Sequence, residues 1–406
     1  MNNLIALRLK KIETALAEVL PAKVDGCWAK RAFSLPYDLT VPYGLAGPCI
    51  DLVGYGGKRW RPLLAHLICE SLGGGEAALP LLPLLELSHT ASLIHDDIED
   101  NSALRRGKPA AHILYGTDTA INSGAFLYFF SASVIDTWDA PPDAKAKLYA
   151  AWLVTMRRLH LGQAMDISWH NSRHYPRLSE YVTMCRLKTG VLSRFAVELG
   201  ICAAENALRK QNNVQFMPDF ETKKRALEGA AEKLGLGFQI VDDAKNLTQG
   251  VPGKKRGDDI VEGKKSLPIL FFVHGVEASA QFCREAARSQ EALPENDTST
   301  GINAESPNDL NKSALSPAER AGFVQWCIEK TKEGGLDSPE LFILLSVLEK
   351  AGAALEAEKI GKAFLAESSN TINSISTAGL FSGVSAAETE EARSLLQNFA
   401  DSLFNG

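Results

Sequence analysis

The 406-residue chain lacks four things: CxxC cysteine pairs, long alternating β-branched runs, uncharged apolar stretches of about 18 residues, and an excess of basic residues. Each absence excludes something. The seven cysteines (Cys27, Cys49, Cys69, Cys185, Cys202, Cys283, Cys327) are dispersed and odd in number. That pattern argues for reduced thiols in a cytoplasmic protein, against a disulfide framework or a zinc site. Without alternating strands, a sheet-based fold has little to build on. Without a long uncharged apolar run, no transmembrane segment is expected. The stretch MNNLIALRLKKIETALAEVL spaces Leu4, Leu7, Ile12 and Leu16 at near-helical intervals, but its charges rule out a signal peptide. With 43 Lys+Arg against 49 Asp+Glu, a net charge of −6, a broad nucleic-acid-binding surface is excluded. A local basic site for a small phosphorylated substrate is not. The 45% hydrophobic content excludes global disorder.

What is present is helical. Ala, Leu, Glu and Lys dominate long segments, predicting helices over 62–72, 80–104, 117–136, 142–170, 178–204, 222–247 and 266–286. Gly73-Gly74-Gly75 stops the first of these. Residues 26–56, with scattered Gly and Pro, read as an irregular loop. Residues 289–316, polar and poor in large apolar groups, read as a second, mobile one. Capping-box patterns at Ser316-Pro317-Ala318-Glu319 and Ser385-Ala386-Ala387-Glu388 open later helices. The expected fold class is all-α: a helical bundle over residues 1–288, with C-terminal helices over 317–406 packing on the same bundle.

Four constellations carry chemistry. In HDDIEDNSALRRGKPAAH (95–112), Asp96 and Asp100 are four apart on one helical face, with Asp97 beside them. Clustered carboxylates repel one another and suit a hard cation such as magnesium. An acidic helix end in water is the plain alternative, but an apolar run leads straight into these acids, placing them at a cavity mouth. The following Arg105-Arg106 adds groups that hold phosphate. In FQIVDDAKNL (238–247), an apolar helix delivers Asp242 and Asp243 together, with Asn246 one turn on; alone, this pair is equally well read as buried acids satisfied by nearby cations. In GYGGKRWRP (54–62), Lys58, Arg59 and Arg61 follow a Gly-Gly turn at a helix start, where the helix dipole disfavours cations; the combination suggests anion binding. In GKKRGDDIVEGKKSLP (253–268), most charges read as a solvated loop, with Lys255 and Lys264 the candidates for diphosphate contact.

The ordered set GGKRWRP, HDDIED–RRGKP, GQAMD, KTG, FQIVDD and GKKRGDD–EGKKSLP, spanning about Gly56 to Pro268, resembles the trans-isoprenyl diphosphate synthases, the polyprenyl synthetase family. The resemblance implies an isoprenoid-synthase-type helical bundle around a deep central cavity, working as a homodimer with three magnesium ions per active site. It implies that Asp96 and Asp100, with Asp97 beside them, Asp166 of GQAMD in support, and Asp242 with Asp243 and Asn246, serve the metal ions. Arg105, Lys188, Lys255 and Lys264 would contact an allylic diphosphate. Lys58, Arg61, His89 and Arg106 would contact the diphosphate of isopentenyl diphosphate. Thr189 and Gln239 would place oxygen dipoles near the allylic cation. His89 precedes Asp96 by two helical turns and so shares its face; without the motif it would read as a core histidine.

The reaction implied is ionisation of the allylic diphosphate, attack by isopentenyl diphosphate, and loss of a proton, in a pocket that excludes water. Two features qualify it. The second acidic motif ends in Asn246 where the family has Asp, which predicts retained activity with weaker magnesium affinity. Ala91 and Ser92, one turn below Asp96, are small, which predicts a deep tunnel and a product of twenty carbons or more; Phe126, Tyr128, Phe129 and Phe130 on a neighbouring helix are alternative floors. The competing functions are a class I terpene cyclase and a non-catalytic subunit of a heteromeric synthase.

Overall fold

A computed structural model describes residues 2–170, 172–211, 215–250, 255–287, 302–303 and 315–399. Of the polar segment expected over 289–316, all but 302–303 and 315–316 lies outside those residues. The chain forms two compact units, one comprising Met1–Met156, Leu192–Ala231 and Glu367–Gly406, the other Arg157–Val191 and Glu232–Ala366. The division falls within helices that run on from one unit into the other, so neither unit is a single stretch of sequence.

The first segments are α1 (Asn2–Val19), α2 (Gly26–Ala32), α3 (Tyr43–Gly54), α4 (Trp60–Ser71), α5 (Leu82–Glu99), α6 (Ala111–Tyr115), α7 (Thr117–Ser131), α8 (Ser133–Thr137) and α9 (Pro142–His170). They are followed by α10 (Leu178–Cys185), α11 (Val191–Lys210), α12 (Phe220–Thr248), α13 (Asp258–Glu262), α14 (Leu267–His274) and α15 (Ser279–Ala287). The last are α16 (Pro317–Gly334), α17 (Pro339–Lys350), α18 (Ala353–Ala378) and α19 (Ala386–Gln397). Strands are confined to two-residue pairs: β1 (Leu104–Arg105) with β2 (Lys108–Pro109), and β3 (His174–Tyr175) with β4 (Ile302–Asn303), both antiparallel.

In the first unit α5 is the central element, lying against α1, α3, α4, α6 and α7. Pro83 sits in its first turn, and Leu82, Leu84, Leu85, Leu87, Ala91 and Ile94 are buried along it. The stretch Gly75–Glu99 is long and apolar enough to cross a membrane, but 67% of its most apolar window is buried within the protein, as a core helix would be.

Residues 26–56, expected as an irregular loop, instead hold α2 and α3. Asp25 caps α2 by accepting the Trp28 amide at 2.7 Å. α3 carries Pro48 in its interior, and tertiary contact offsets the lost backbone bond. Cys49 Sγ lies 3.0 Å from Ser123 Oγ of α7, and that hydroxyl donates to the Leu45 carbonyl at 2.8 Å. Local Gly and Pro content misleads here because packing on α7 decides the conformation.

The helix predicted over 178–204 is divided. α10 and α11 are separated by a π-helical turn, Arg186–Gly190, which carries Lys188 and Thr189. The second unit closes over a core that includes Trp169, Tyr181, Ile240, Phe271, Phe282, Phe323, Ile328 and Leu344. The Ser316 capping box forms as expected: Ser316 Oγ accepts the Glu319 amide at 3.2 Å, and Glu319 Oε2 accepts the Ser316 amide at 2.8 Å. Ser385 is the residue before α19 but makes no side-chain cap. The C-terminal helices contribute to both units. α16 and α17 belong to the second, while α19 packs on α4 in the first.

Close helix packing yields a stability prediction. A Cβ on Gly200 of α11 would lie 2.6 Å from the Ala65 carbonyl oxygen of α4. Gly200→Ala is expected to destabilise by about 1–3 kcal/mol in denaturant unfolding. Gly229→Ala on α12, where a Cβ meets nothing within 4 Å, should instead stabilise by up to about 1 kcal/mol.

Candidate active site

The first unit brings several arginines together at the start of α4 and in the turn between β1 and β2. Gly56 and Gly57 adopt φ of +79° and +147°, and Arg59 adopts a left-handed φ of 47° as it enters α4. Arg59 turns inward as a strut, its guanidinium bonding Glu13 at 2.7 Å, Glu86 at 2.6 Å and the Val53 carbonyl at 2.7 Å. Arg61 stacks on the Trp60 ring, 4.4 Å from its centroid, and its buried Nε has no hydrogen-bond partner. Burial, partly offset by Glu86, pushes the Arg61 guanidinium down to about 10. Arg106 occupies a two-residue hairpin turn with Gly107, both at positive φ (55° and 76°), which joins β1 to β2. A Cβ on Gly57 would fall 2.7 Å from the Arg106 guanidinium nitrogens, so the Gly-Gly turn is what lets that arginine approach. Burial and the neighbouring Arg61, Arg106, Arg105 and Arg59 hold the His89 imidazole well below its usual range, keeping it neutral. Lys58 is exposed at the edge of this group.

The first acidic motif closes α5. Asp97 is buried and Asp100 is the residue that ends the helix. Arg105 Nε donates to Asp97 Oδ1 at 2.8 Å, and its NH2 donates to Asp96 Oδ2 at 3.1 Å and to Asp97. One arginine thus holds two adjacent carboxylates together. Below them Ala91 is fully buried, and Ser92 donates to the His89 carbonyl at 2.7 Å. Of the candidate aromatic floors, Phe129 is 76% exposed, Tyr128 stacks on His95, and Phe126 and Phe130 join an aromatic cluster with Trp28 and Phe33.

The second unit holds Asp166, Asp242 and Asp243 together with Lys188, Lys255 and Lys264. Asp166 of α9 accepts Lys188 Nζ at 2.6 Å and faces His170 Nε2 at 3.4 Å. Burial would raise its carboxyl, but Lys188, His170 and Lys264 hold it well below the usual carboxylate range. A Cβ on Gly162, the glycine of GQAMD, would lie 2.4 Å from the Lys188 amide; this close approach seats the π turn. Thr189 Oγ1 donates to Gln239 Oε1 at 2.8 Å, and Gln239 Nε2 donates to Asp243 Oδ1 at 2.8 Å. Tyr181 donates to Asp243 Oδ2 at 2.7 Å. Burial and the nearby Asp259 push Asp243 up to about 7, against the pull of these two donors. Asp242 is only partly buried. Asn246 is buried. Its Oδ1 accepts the Asp259 amide at 3.3 Å, and its Nδ2 has no partner among the described residues. Lys264 pairs with Glu262 at 2.5 Å and lies 3.9 Å from Asp259, while Lys255 is exposed.

A family model described as Polyprenyl synthetase matches residues 44–300, more than half of the chain. The chain belongs to the polyprenyl synthetase family. It is 33% identical over 292 residues, 71% of this chain and 77% of the relative, to geranylgeranyl pyrophosphate synthase dpasD of Apiospora sacchari. It is 34% identical over 238 residues, 58% of this chain and 65% of the relative, to geranylgeranyl pyrophosphate synthase 2 of Zymoseptoria tritici. Matches to the curated relatives thus span roughly two thirds of their length. Among solved structures, geranylgeranyl pyrophosphate synthetase of Pyrococcus horikoshii aligns with a TM-score of 0.66 at 21% identity, covering 98% of this chain and 97% of that one. A polyprenyl synthase of Caulobacter crescentus, complexed with calcium and isoprenyl diphosphate, aligns at 0.62 and 20%, covering 98% and 96%. At these identities the likeness is one of fold, and it confirms the all-α class.

Within that family frame the donor chemistry fits magnesium: each acidic group offers carboxylate oxygens, and the His170 imidazole stands against Asp166 as its ion-pair partner. Among the described residues no three acidic, histidine or cysteine side chains form a preassembled metal cage. Magnesium bound through one or two carboxylates, waters and substrate phosphates needs none. Four contributors to the site were not read from the sequence: Glu86, His170, Tyr181 and Asp259. The Asp166–His170 pair had a usable signal, since i,i+4 spacing on a helix brings the two side chains together. Tyr181 reaches Asp243 from 62 residues away, and no local pattern marks it.

A folded-state pKa held below its unfolded value contributes stability above the unfolded pKa, and that stability is lost as pH falls. Metal-free wild type should therefore lose melting temperature between pH 6 and pH 3 more steeply than Asp166→Asn. Equal slopes in thermal melts would show that the Asp166–Lys188 pair carries none of the acid sensitivity.

Proposed function

We propose that the chain is a magnesium-dependent trans-prenyltransferase that condenses isopentenyl diphosphate with an allylic diphosphate, giving an all-trans polyprenyl diphosphate of twenty carbons or more. The observation that carries this reading is the group of Arg61, Arg105 and Arg106 around a neutral His89, in the same unit as Asp96, Asp97 and Asp100. A class I terpene cyclase ionises the same allylic substrate but has no second diphosphate to hold, so such a concentration of arginine would be surplus there. Relatives named geranylgeranyl pyrophosphate synthase support the product class, as do the small residues Ala91 and Ser92.

In this reading Arg61, Arg106, His89 and the exposed Lys58 bind the diphosphate of isopentenyl diphosphate. Neutral His89 contributes a hydrogen bond without a further positive charge. By family resemblance Asp96, Asp100, Asp166 and Asp242 would present carboxylates to magnesium, with Asp97, Asp243 and Asn246 in support. Arg105 spaces Asp96 and Asp97. Bound magnesium supplies neutralisation of the departing diphosphate. Arg105, Lys188, Lys255 and Lys264 add positive charge where that negative charge develops. The allylic C–O bond breaks with its electron pair leaving on the diphosphate. The double bond of isopentenyl diphosphate forms the new C–C bond, and a proton passes from the adjacent carbon to the released diphosphate. Thr189 Oγ1 and Gln239 Oε1, 2.8 Å apart, present oxygen dipoles to the transient cation. By family resemblance the working form is a cytoplasmic homodimer with three magnesium ions per site.

Incubation with magnesium, labelled isopentenyl diphosphate and dimethylallyl, geranyl or farnesyl diphosphate, followed by sizing of the products, tests the reading. Products of twenty carbons or more are expected. Cyclic products without coupling would replace the proposal with a terpene cyclase, and a fifteen-carbon end product would refute the deep tunnel. Asp96→Asn should lower kcat/KM about a hundredfold or more. Arg61→Met should raise KM for isopentenyl diphosphate about tenfold or more.

Asn246→Asp restores a charge beside Asp243 and Asp259. It should lower the magnesium concentration giving half-maximal rate and, by like-charge repulsion, lower the melting temperature of the metal-free protein. An unchanged magnesium requirement would remove Asn246 from the account of metal affinity.

A further inference from the structure

Lys264 and Lys265 are adjacent in EGKKSLP but have opposite fates. Lys264 reaches Glu262 and Asp259, whereas Lys265 runs into the core with 2% exposure, among the largest fully buried side chains. Its ammonium sits over the Tyr175 ring, 4.2 Å from the centroid, and donates to Gln325 Oε1 of α16 at 3.0 Å. Tyr175 is itself fully buried, and its hydroxyl has no hydrogen-bond partner among the described residues. Gln325 Nε2 in turn donates to Glu329 Oε1 at 3.1 Å, and Glu329 also meets Arg173 at 3.3 Å. On the other side of the same turn, Lys332 of α16 donates to the His170 carbonyl at 3.4 Å. Gly263, at φ +86°, packs so tightly there that a Cβ would lie 2.5 Å from the His170 carbonyl oxygen and 2.9 Å from Lys332 Nζ. Of the two residues flanking Lys264, Lys265 is thus bonded to α16 and Gly263 packs closely against Lys332 of that helix.

A buried ammonium is a destabilising choice where an apolar side chain of similar length would fill the space. The groups facing this one are Tyr175 from β3 and Gln325, Glu329 and Lys332 from α16, and its one hydrogen bond among the described residues is to a neutral amide. Such a group earns little as packing, but it fixes direction. We propose that Lys265 is a positioning residue: clamped between the Tyr175 ring and Gln325, it ties the EGKKSLP turn to α16 and so holds Lys264 in place for the diphosphate of the allylic substrate. The inference rests on the proposed function, and it gives α16, which lies beyond the six motifs, a part in substrate grip.

Burial, with Lys332 adding to it, pushes Lys265 down to about 7. The protonated clamp is therefore complete below pH 7 and loosens as pH rises through it. The unfolded chain keeps its lysine protonated to higher pH, so the cost of the buried charge is fully present below pH 7. Lys265→Met should accordingly melt no lower than wild type at pH 6.

The test compares wild type, Lys265→Met and Gln325→Glu by calorimetric titration with magnesium and inorganic pyrophosphate, and by steady-state kinetics from pH 6 to pH 8. Lys265→Met should weaken pyrophosphate binding and raise KM for the allylic diphosphate about fivefold, with KM for isopentenyl diphosphate within about twofold and a shallower pH 6–8 dependence than wild type, since Asp243 and the diphosphate still titrate there. Gln325→Glu, placing a carboxylate against the ammonium, should move the wild-type pH break upward while leaving pyrophosphate affinity at pH 6 unchanged. Wild-type pyrophosphate affinity in Lys265→Met, or a parallel rise in both KM values with a lowered melting temperature, would overturn the proposal. If Lys265→Met does not fold, an unmoved pH break in Gln325→Glu overturns it alone. Wild type that makes no product would instead overturn the proposed function, and the pyrophosphate titration still decides the role of Lys265.

Discussion

Like charges held together under apolar cover are the constraint on which the rest of the structure depends. Repulsion and desolvation both oppose it, so each charged group needs a neighbour to hold it. In the first unit Arg59 is removed from the anion-binding set by Glu13 and Glu86, and in exchange it anchors the start of α4. That leaves Arg61 and Arg106 facing a His89 that burial, with their charge, keeps neutral. In the second unit the balance is reversed. Asp166 is answered by Lys188 and His170, whereas Asp243 is propped by Tyr181 and Gln239 and still faces Asp259. The arginines around His89 are thus left short of an anion, and Asp243 beside Asp259 is left short of counter-charge. A diphosphate suits the first group and a hard cation the second.

Unfavourable backbone conformations serve the same end. Arg59 and Arg106 take left-handed φ values that a non-glycine residue adopts at a cost of about 1–3 kcal/mol. The hairpin turn at Arg106-Gly107 and the π turn at Arg186–Gly190 are both irregularities placed under functional side chains. A regular helix through residues 186–190 would change the direction of Lys188 and Thr189 relative to Asp166 and Gln239, the residues they bond. Gly162, flush against the Lys188 backbone, is the packing feature that lets the irregular turn sit there.

What could be read from the sequence follows from which interactions are local. Helix periodicity, the Ser316 capping box and the spacing of Asp96 and Asp100 depend on residues within a turn or two of one another, and they were legible. The helix over 43–54 was not, because Gly44, Gly47 and Pro48 signal a loop locally while Ser123, some 75 residues away, settles the matter. The same holds for the site. Its acids and arginines stand in recognisable motifs, but the role of each does not: Arg59 and Arg61 are two residues apart, and one is a strut while the other is left with an unpartnered Nε. The difference comes from Glu86, 27 residues downstream of Arg59.

Asn246 shows why departure from a motif is best judged by surroundings. Its oxygen is engaged with the Asp259 amide at the start of α13, and its side chain lies among Asp243 and Asp259 in a buried setting. Burial and Asp259 already push Asp243 up to about 7. A further carboxylate there would add repulsion to a group close to losing its charge, and in the metal-free state uptake of a proton relieves it. An amide keeps the oxygen that organises the α13 turn while removing that repulsion. The substitution therefore trades grip on a cation for stability without one, which is the opposite of the trade at Lys265, where a charge is retained in the core at the expense of stability.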